Sequence, residues 1–173
     1  MLSIVIPTWN NTPELARMTE DNIDTIYKLR SVVTEVIVID NGSPYPGSPR
    51  SEVYTRWTTN RGIAPAWNYG ARLANNDVLC FMNTDVKVTE GWDGALCTRA
   101  LAGPYVAMPY TNGVKSDGIG ITGWCFAVSR DMYKHVGPFD ETFVPAYYED
   151  TDWFHRAIQK GLPLVNVPKS NVL

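Results

Sequence analysis

The chain has 173 residues, of which 45% are hydrophobic and 19% are charged, and its formal net charge is −3. These values are ordinary for one globular domain with a packed core, and they argue against a general nucleic-acid-binding protein, which would carry a basic surface. The first residues lack the basic start of a signal peptide and no apolar run suggests a transmembrane segment, so we expect a cytoplasmic protein.

The three cysteines, Cys80, Cys97 and Cys125, do not have the spacing of metal ligands. Two of them lie inside apolar, strand-like runs. This placement predicts buried free thiols, as in proteins of a reducing compartment.

Strands and helices alternate in the first half of the chain, which predicts parallel strands, right-handed crossovers and a doubly wound sheet. Pro13, at the first helical position, marks the start of the first helix. The predicted elements are a strand at 2–6, a helix from 12–13 to about 29, strands at 36–39 and 53–57, a helix at 63–74 and a strand at 78–82.

The second half of the chain is less regular. Its predicted elements are a helix from about 89 to 101, a strand at 106–108, a loop at 110–120, a strand at 124–128, helices at 131–136 and 149–160, and a strand at 164–167. The loop is rich in Gly, Asn and Asp, and we expect it to be a mobile lid.

Polar residues follow each of the first four predicted strands, and the ends of parallel strands lie at one edge of a sheet, where open α/β sheets bind ligands. The most informative case is the apolar run 78–82, which leads directly into Asn83-Thr84-Asp85. The oxygen atoms of Asp85 suit Mg²⁺ or Mn²⁺, and such an ion could hold a diphosphate. The triplet alone would equally fit an ordinary Asn/Asp turn.

Seven segments, in order along the chain, resemble family 2 glycosyltransferases, which have the GT-A fold. They are residues 3–10, residues 36–43, Asn60-Arg61-Gly62 with Ala66, Asn68, Gly70, Ala71 and Asn75 after it, residues 81–85, residues 123–125, residues 136–141 and residues 149–152. The resemblance implies an α/β, Rossmann-like, doubly wound mixed sheet flanked by helices in a single domain. It also implies a nucleotide-binding half at about 1–85 and an acceptor-side half at about 86–173.

The activity that this resemblance implies is transfer of a sugar, with inversion, from a nucleotide-diphosphate donor to a hydroxyl of a carbohydrate or another acceptor. UDP-sugars are the default donors, and Mn²⁺ or Mg²⁺ is the expected cofactor. The ion would neutralise the leaving diphosphate, and a carboxylate would take the proton of the acceptor hydroxyl. The resemblance does not choose the sugar, the base, the acceptor or the oligomeric state.

On the donor side, the resemblance makes Asp85 a metal ligand, with Asn83 beside it where many relatives carry an Asp. It makes Asp40 the acid that binds the base or ribose, although a strand-terminating turn would also use an Asp. The full set of implied donor-binding residues is Pro7, Thr8, Asn10, Asp40, Arg61, Asn68, Asn83 and Asp85. Thr8 and Asn10 could instead cap a helix. Arg61 could instead be an exposed, solvated side chain.

On the acceptor side, the resemblance makes Asp150 the candidate catalytic base, with Glu149 as its nearest rival and Asp152 as a weaker one. All three acids would also suit a helix amino terminus. Asp152 and Arg156 are four residues apart, which fits a surface ion pair.

Aromatic residues have two possible uses. Gly123 and Trp124 are expected to form an acceptor-side wall, with a core position as the alternative for Trp124. We expect Trp9, Trp67 and Trp92 to serve packing, and His155 to lie at the surface.

The chain departs from its relatives near its end, because residues 168–173 lack the metal-binding His that relatives often carry there. Many relatives also carry carboxyl-terminal extensions for the acceptor or for a membrane, and without one the chain resembles a bare catalytic core. The missing His and the Asn at position 83 keep open a second hypothesis, a nucleotide-sugar binding module without catalysis. A nucleotidyltransferase is the least favoured hypothesis. That class usually carries a Gly-rich basic loop near its first strand, and residues 7–12 contain no Gly or Lys.

Overall fold

The computed structural model describes residues 1–111 and 123–172. Its elements in chain order are β1 (Leu2–Thr8), α1 (Pro13–Leu29), β2 (Thr34–Asp40), β3 (Val53–Arg56), α2 (Ile63–Leu73), β4 (Val78–Met82), α3 (Trp92–Leu101), β5 (Val106–Thr111), β6 (Cys125–Ser129), α4 (Arg130–Val136), α5 (Glu149–Gln159) and β7 (Leu164–Val172).

The strands form one seven-stranded mixed sheet in the order β3-β2-β1-β4-β6-β5-β7. The four strands of the first half pair in parallel, as predicted. The strand β6 lies antiparallel to both β4 and β5, and β7 pairs in parallel with β5. The α/β fold with a mixed, doubly wound sheet is therefore confirmed.

The sheet is covered on both faces, and its central strands are apolar at most positions. Neighbouring residues of a strand point to opposite faces, so Ile4 packs with the α1 and α3 side chains while Val5 packs with those of α2, α4 and α5. A strand buried on both sides needs the continuous apolar sequence that β4 shows.

An aromatic cluster fixes α5 against the sheet. Phe81 of β4 faces Phe126 of β6 across the ladder, with ring centroids 5.2 Å apart. Trp153 of α5 lies 5.7 Å from Phe126 and 5.5 Å from Phe139. The start of α5 is therefore held at a fixed place relative to the end of β4.

Most predicted boundaries agree with the structure to within a few residues, but the end of the chain differs. The last strand does not stop at Val167: β7 continues to Val172, with a register shift against β5. The shift accommodates Pro168, which has no N–H to donate to a ladder. Of the loop predicted at 110–120, Tyr110 and Thr111 belong to β5, and the rest lies outside the described residues.

The three cysteines are buried free thiols, as predicted. Within residues 1–111 and 123–172, none of the helices combines the length and the apolar character needed to cross a membrane.

We predict that Gly70→Ala destabilises the fold, because a methyl group there would overlap the Val5 side chain, where α2 lies against β1. Overpacking of this kind costs about 1–3 kcal/mol, more than the roughly 1 kcal/mol that Ala offers over Gly in a helix. Chemical denaturation measures the change. The control is Arg72→Ala at an exposed position of the same helix, and equal stabilities for the two variants would contradict the prediction.

Candidate functional site

Two clefts open at the carboxyl edge of the parallel strands. The first cleft has a volume of about 710 Å³. It is lined by Pro7, Thr8, Trp9, Leu15, Met18, Asn41, Asn60, Ile63, Asn83, Thr84, Asp85, Pro145, Ala146 and Tyr147. The convergence of polar residues from the ends of β1, β2 and β4, which the sequence predicts, is therefore present.

The second cleft has a volume of about 670 Å³ and adjoins the first. It is lined by Ile63, Trp67, Asn83, Gly123, Trp124, Ala146, Tyr147, Tyr148, Glu149, Asp150 and Thr151. Ile63, Asn83, Ala146 and Tyr147 line both clefts. A molecule in one cleft would therefore lie next to a molecule in the other.

The antiparallel strand β6 brings the two clefts together. Because β6 runs opposite to β4, the residues just before β6 lie beside the residues just after β4. The Asn83 N–H donates to the Trp124 carbonyl at 2.8 Å, which extends the ladder past the end of β4. The next residue back, Gly123, donates its N–H to the Asp150 carboxylate at 2.8 Å.

Asp150 is held rigidly by these neighbours. One carboxylate oxygen accepts the Gly123 N–H at 2.8 Å, and the other accepts the N–H of Thr151 at 2.7 Å. A methyl group at Gly123 would overlap this carboxylate, so the close approach requires glycine. The carboxylate therefore has a fixed orientation at the second cleft.

Glu149 has a different environment from Asp150. It is 4% exposed, and its Oε2 atom has no hydrogen-bond partner among the described residues. Burial raises the pKa of the Glu149 carboxyl, and the nearby charge of Asp150 adds to the effect, although backbone N–H groups of Glu149 and Tyr147 oppose it. The second cleft thus contains two carboxyl groups with unequal environments.

The polar groups of the first cleft follow β1 and β4. Asp85 is exposed, and the turn that carries it is fixed by the Asn22 side chain, which donates to the Thr84 carbonyl at 2.6 Å. Thr8 is buried, and its hydroxyl has no partner within the part of the chain that the structure describes. The described residues that line the first cleft include no Lys, Arg or His.

A divalent ion would find only part of its coordination sphere here. In residues 1–111 and 123–172, no group of three His, Cys, Asp or Glu side chains is arranged to hold a metal. Asp85 and Asn83 offer hard oxygen donors of the type that Mg²⁺ and Mn²⁺ prefer. One carboxylate fits an ion that takes most of its other ligands from a bound phosphate and water.

Asp40, predicted to bind the donor, is fully buried and does not line either cleft. Its carboxylate accepts the Ser43 N–H at 2.8 Å and the Tyr54 hydroxyl at 2.9 Å, and it lies 3.3 Å from Arg56 Nε. Burial and the Asp40 contact raise the pKa of Tyr54 to about 12. Contact of Asp40 with a ligand stays a prediction; what the structure shows is that it fixes the turn after β2.

Asn10 and Asn68 are also buried, and the structure brings neither to the lining of a cleft. The Asn68 amide donates to the Phe139 carbonyl and to Glu141, and its oxygen accepts from Tyr133 and from the Phe139 N–H. All its hydrogen-bonding capacity is used, so it connects α2 to the segment before α5. Asn10 accepts from Thr19, while its Nδ2 has no partner among the described residues.

Arg61 and Asp152 lie beside the clefts without lining them. The Arg61 guanidinium lies 4.7 Å from the centre of the Trp57 ring. Asp152 pairs with Arg156 at 2.8 Å, which confirms the predicted helix-surface ion pair. His155 is exposed, as predicted.

Trp9, Tyr147 and Tyr148 line the clefts but were not predicted as site residues. Trp9 is 49% exposed and lines the first cleft, so the expectation that it serves core packing is wrong. Tyr147 is 77% exposed and lines both clefts. The sequence around Tyr147 has no periodicity that would predict its exposure at the clefts. Trp9 directly follows a strand that ends at the site, and this position could have indicated its role. Trp67 and Trp92 are buried, as expected.

Comparison with known proteins identifies the family and the fold of the chain. The model of the Glycosyl transferase family 2 matches residues 3–124, and the chain belongs to that family. Against curated proteins, no significant match is found.

Two solved structures share the fold at low sequence identity. "Crystal structure of GalNAc-T7 with UDP, GalNAc and Mn2+" superimposes with a TM-score of 0.79 at 16% identity, over 99% of this chain and 42% of that one. "Mannosyltransferase PcManGT from Pyrobaculum calidifontis in complex with GDP-Man and Mn2+" superimposes with a TM-score of 0.75 at 18% identity, over 99% of this chain and 55% of that one. The fold is therefore GT-A, and the chain spans about half the length of these two proteins.

We predict that Glu149→Gln stabilises the protein at neutral pH and that the gain disappears in acid. A carboxyl whose pKa is raised on folding above its ordinary value of 4.5 destabilises the fold once it ionises, so its contribution worsens as pH rises from 4.5 through the raised pKa. Thermal unfolding of both proteins between pH 4 and pH 8 measures this. The difference in melting temperature should grow with pH, and a difference independent of pH would refute the environment described for Glu149.

Proposed function

We propose that the chain is an inverting, divalent-metal-dependent glycosyltransferase domain that moves a sugar from a nucleotide-diphosphate donor to an acceptor hydroxyl. In this proposal the first cleft binds the donor and the second binds the acceptor. The observation that carries it is the continuity of the two clefts at Asn83, with Asp85 on one side and Asp150 on the other. Orienting two substrates in contact supplies much of the rate of such a transfer.

Metal dependence is supported by the charges of the first cleft. A diphosphate needs positive charge, and the described lining residues supply none while adding the negative charge of Asp85. Asp85 and Asn83 would hold Mn²⁺ or Mg²⁺ together with oxygens of the diphosphate. When bound, the ion would act as a Lewis acid that stabilises the leaving diphosphate. Both similar solved structures were determined with Mn²⁺.

Nucleotide binding would use the wall of the first cleft. The exposed ring of Trp9 offers a stacking surface for a base. Pro7 and Thr8 lie at the end of β1, and the Thr8 hydroxyl has no hydrogen-bond partner among the described residues. A ribose or base could supply that hydrogen bond. The solved structures contain UDP and GDP-Man, and a UDP-sugar remains the default donor.

Buried residues would support this wall from behind. Asn41 lines the cleft and uses its side chain to hold Gly62 and Arg61, at 2.9 Å and 2.7 Å. Asp40, Asn10 and Asn68 would act in the same indirect way, by fixing the segments that carry the contacting groups. Arg61 would approach the donor only after leaving Trp57.

Asp150 is the proposed catalytic base. Inversion by a single displacement needs the acceptor to attack from the side opposite the leaving group, with a base within reach of its hydroxyl. Asp150 lies at the second cleft in a fixed orientation, and Gly123 and Trp124 form the adjoining wall. Glu149 is the rival base, and Asp152 is placed further back by its pairing with Arg156.

The proposed division of the chain follows the clefts, with residues 1–85 mainly on the donor side and 86–173 mainly on the acceptor side. The segment 145–147 departs from this division, because Pro145 lines the first cleft and Ala146 and Tyr147 line both. It is tied to α2 through the Ile63 N–H, which donates to the Pro145 carbonyl at 3.3 Å. The buried free thiols support a cytoplasmic site of action.

A nucleotide-sugar binding module without catalysis is the second candidate. The observation that favours it is the incomplete set of metal ligands in the described residues. It shares the donor cleft with the first candidate and differs in the role of Asp150. Turnover, rather than binding, therefore separates the two.

We predict that one of UDP, GDP, dTDP and CDP raises the melting temperature, and does so only with Mn²⁺, because the ion and the diphosphate complete each other's coordination. Asp85→Ala should weaken that nucleotide's metal-dependent affinity by at least about 10-fold. This is the smallest loss of metal affinity that is typical when a residue supporting a bound metal is removed. Titration calorimetry measures it. The control is Glu90→Ala, an exposed acid that lines neither cleft, and unchanged affinity in Asp85→Ala would remove Asp85 from the site.

We predict that Asp150→Asn lowers turnover of the donor by about 10²–10⁴-fold with unchanged nucleotide affinity, the range for loss of a general base. Release of nucleotide from the donor sugar, with a panel of glycoside acceptors, measures turnover. Asp152→Asn is the matched control, since its carboxylate pairs with Arg156. A loss seen instead in Glu149→Gln would move the role of base to Glu149, and donor binding without turnover in the unmodified protein would favour the binding module.

A further inference from the structure

Tyr147 and Tyr148, directly before α5, combine two unusual properties. Their side chains are 77% and 70% exposed. Both residues also have positive φ, at 82° and 74°, a backbone conformation that glycine adopts readily and a bulky side chain does not. Core packing does not explain two aromatic rings at such positions, because neither ring is buried. Strain of this kind is typical of residues retained for a ligand.

Both rings lie at the second cleft. Tyr147, Tyr148 and Trp124 are all among its lining residues. Aromatic rings form flat apolar surfaces with polar edges, which suit the C–H face of a pyranose. Three of them around one cleft make a surface on which a sugar ring could pack.

The charges at the second cleft limit the ligand further. Its described lining includes Glu149 and Asp150 and no Lys, Arg or His. A phosphate group placed there would face two carboxyl groups, with no compensating cation among the described lining residues. An uncharged molecule avoids this repulsion.

One buried polar atom also lacks a partner in this cleft. Glu149 is 4% exposed, and its Oε2 has no hydrogen-bond partner among residues 1–111 and 123–172. Buried carboxyl oxygens are normally hydrogen-bonded, and an exception calls for an explanation. A hydroxyl of a bound ligand would satisfy it, whether Glu149 is ionised or protonated.

We propose that the second cleft binds an uncharged carbohydrate, whose ring packs on Tyr147, Tyr148 and Trp124 while one hydroxyl reaches Asp150 and another reaches Glu149. This inference rests on the proposed function and names the acceptor class for the same site. The transferred sugar would form a new glycosidic bond to the acceptor oxygen as its bond to the diphosphate breaks. The acceptor proton would pass to the carboxylate.

The first test compares acceptors of different charge. Neutral p-nitrophenyl glycosides of glucose, galactose, mannose and N-acetylglucosamine are offered beside citronellyl phosphate, with the donor identified by nucleotide binding and release of nucleotide as the readout. We expect transfer to at least one glycoside and none to the prenyl phosphate. Transfer to the phosphate alone, or to none of the glycosides while nucleotide still binds, would overturn the inference and leave donor binding standing. Absence of nucleotide binding would instead remove the proposed function, and the inference with it.

The second test uses Tyr148, because it lines the second cleft and not the first. Tyr148→Ala should raise the KM for the glycoside about tenfold, with the donor KM changed less than about twofold, since only the acceptor loses a stacking surface. Tyr148→Phe should keep the acceptor KM, because the ring remains. Tyr45→Ala, at a tyrosine 47% exposed and outside both clefts, is the control.

A glycine variant separates a binding role from a structural one. Tyr148→Gly should raise the melting temperature, because glycine adopts the positive φ without strain, while the acceptor KM rises as in Tyr148→Ala. An unchanged acceptor KM in both variants would show that the exposed ring does not contact the acceptor, and would overturn the proposal.

Discussion

The antiparallel pairing of β6 against β4 is the constraint on which the whole site depends. Parallel pairing alone would bring the ends of β1, β2 and β4 to one edge of the sheet, and would leave the start of β6 at the opposite edge. Because β6 runs the other way, Gly123 and Trp124, just before β6, lie beside Asn83, just after β4. The hydrogen bond from Gly123 then fixes Asp150, and with it the start of α5.

The electrostatics of the two clefts follow from the same arrangement. The first cleft presents one carboxyl group and the second presents two, and the described lining of each contains no basic side chain. An anionic substrate can occupy such a cleft only with a cation of its own, whereas a neutral substrate needs none. Under the proposed function, a divalent ion would accompany the donor diphosphate beside Asp85, and the acceptor beside Asp150 would carry no charge. The clefts would thus differ in what they accept although both are acidic.

The parallel half of the sheet and the strand ends that line the first cleft could be predicted from the sequence, because both depend on local patterns. The continuous apolar run of β4 predicts a strand covered on two faces, and Asp85 follows it directly. The Asp152–Arg156 pair is likewise visible from a spacing of four residues. Such features need no knowledge of distant partners.

The use of individual polar side chains could not be predicted in this way. Asn68 resembles a ligand-binding residue in sequence, yet its hydrogen bonds go to Tyr133, Phe139 and Glu141, more than 60 residues further along the chain. Asp40 is likewise occupied by Tyr54 and Arg56. Whether a polar group faces a ligand or another part of the chain depends on contacts that only the folded chain defines. Trp9 is the converse case, an aromatic residue expected in the core that lies exposed at the first cleft. Its exposure depends on which other parts of the chain pack against it.

The central claim is that the carboxyl end of β4 binds a divalent ion together with a nucleotide diphosphate. Its most direct test is the anomalous scattering of Mn²⁺ in crystals grown with whichever of UDP or GDP stabilises the protein. The account predicts one strong peak beside Asp85, in contact with the diphosphate, that is absent from crystals of Asp85→Ala. A nucleotide bound in the first cleft without such a peak, or a peak away from Asp85, would contradict it.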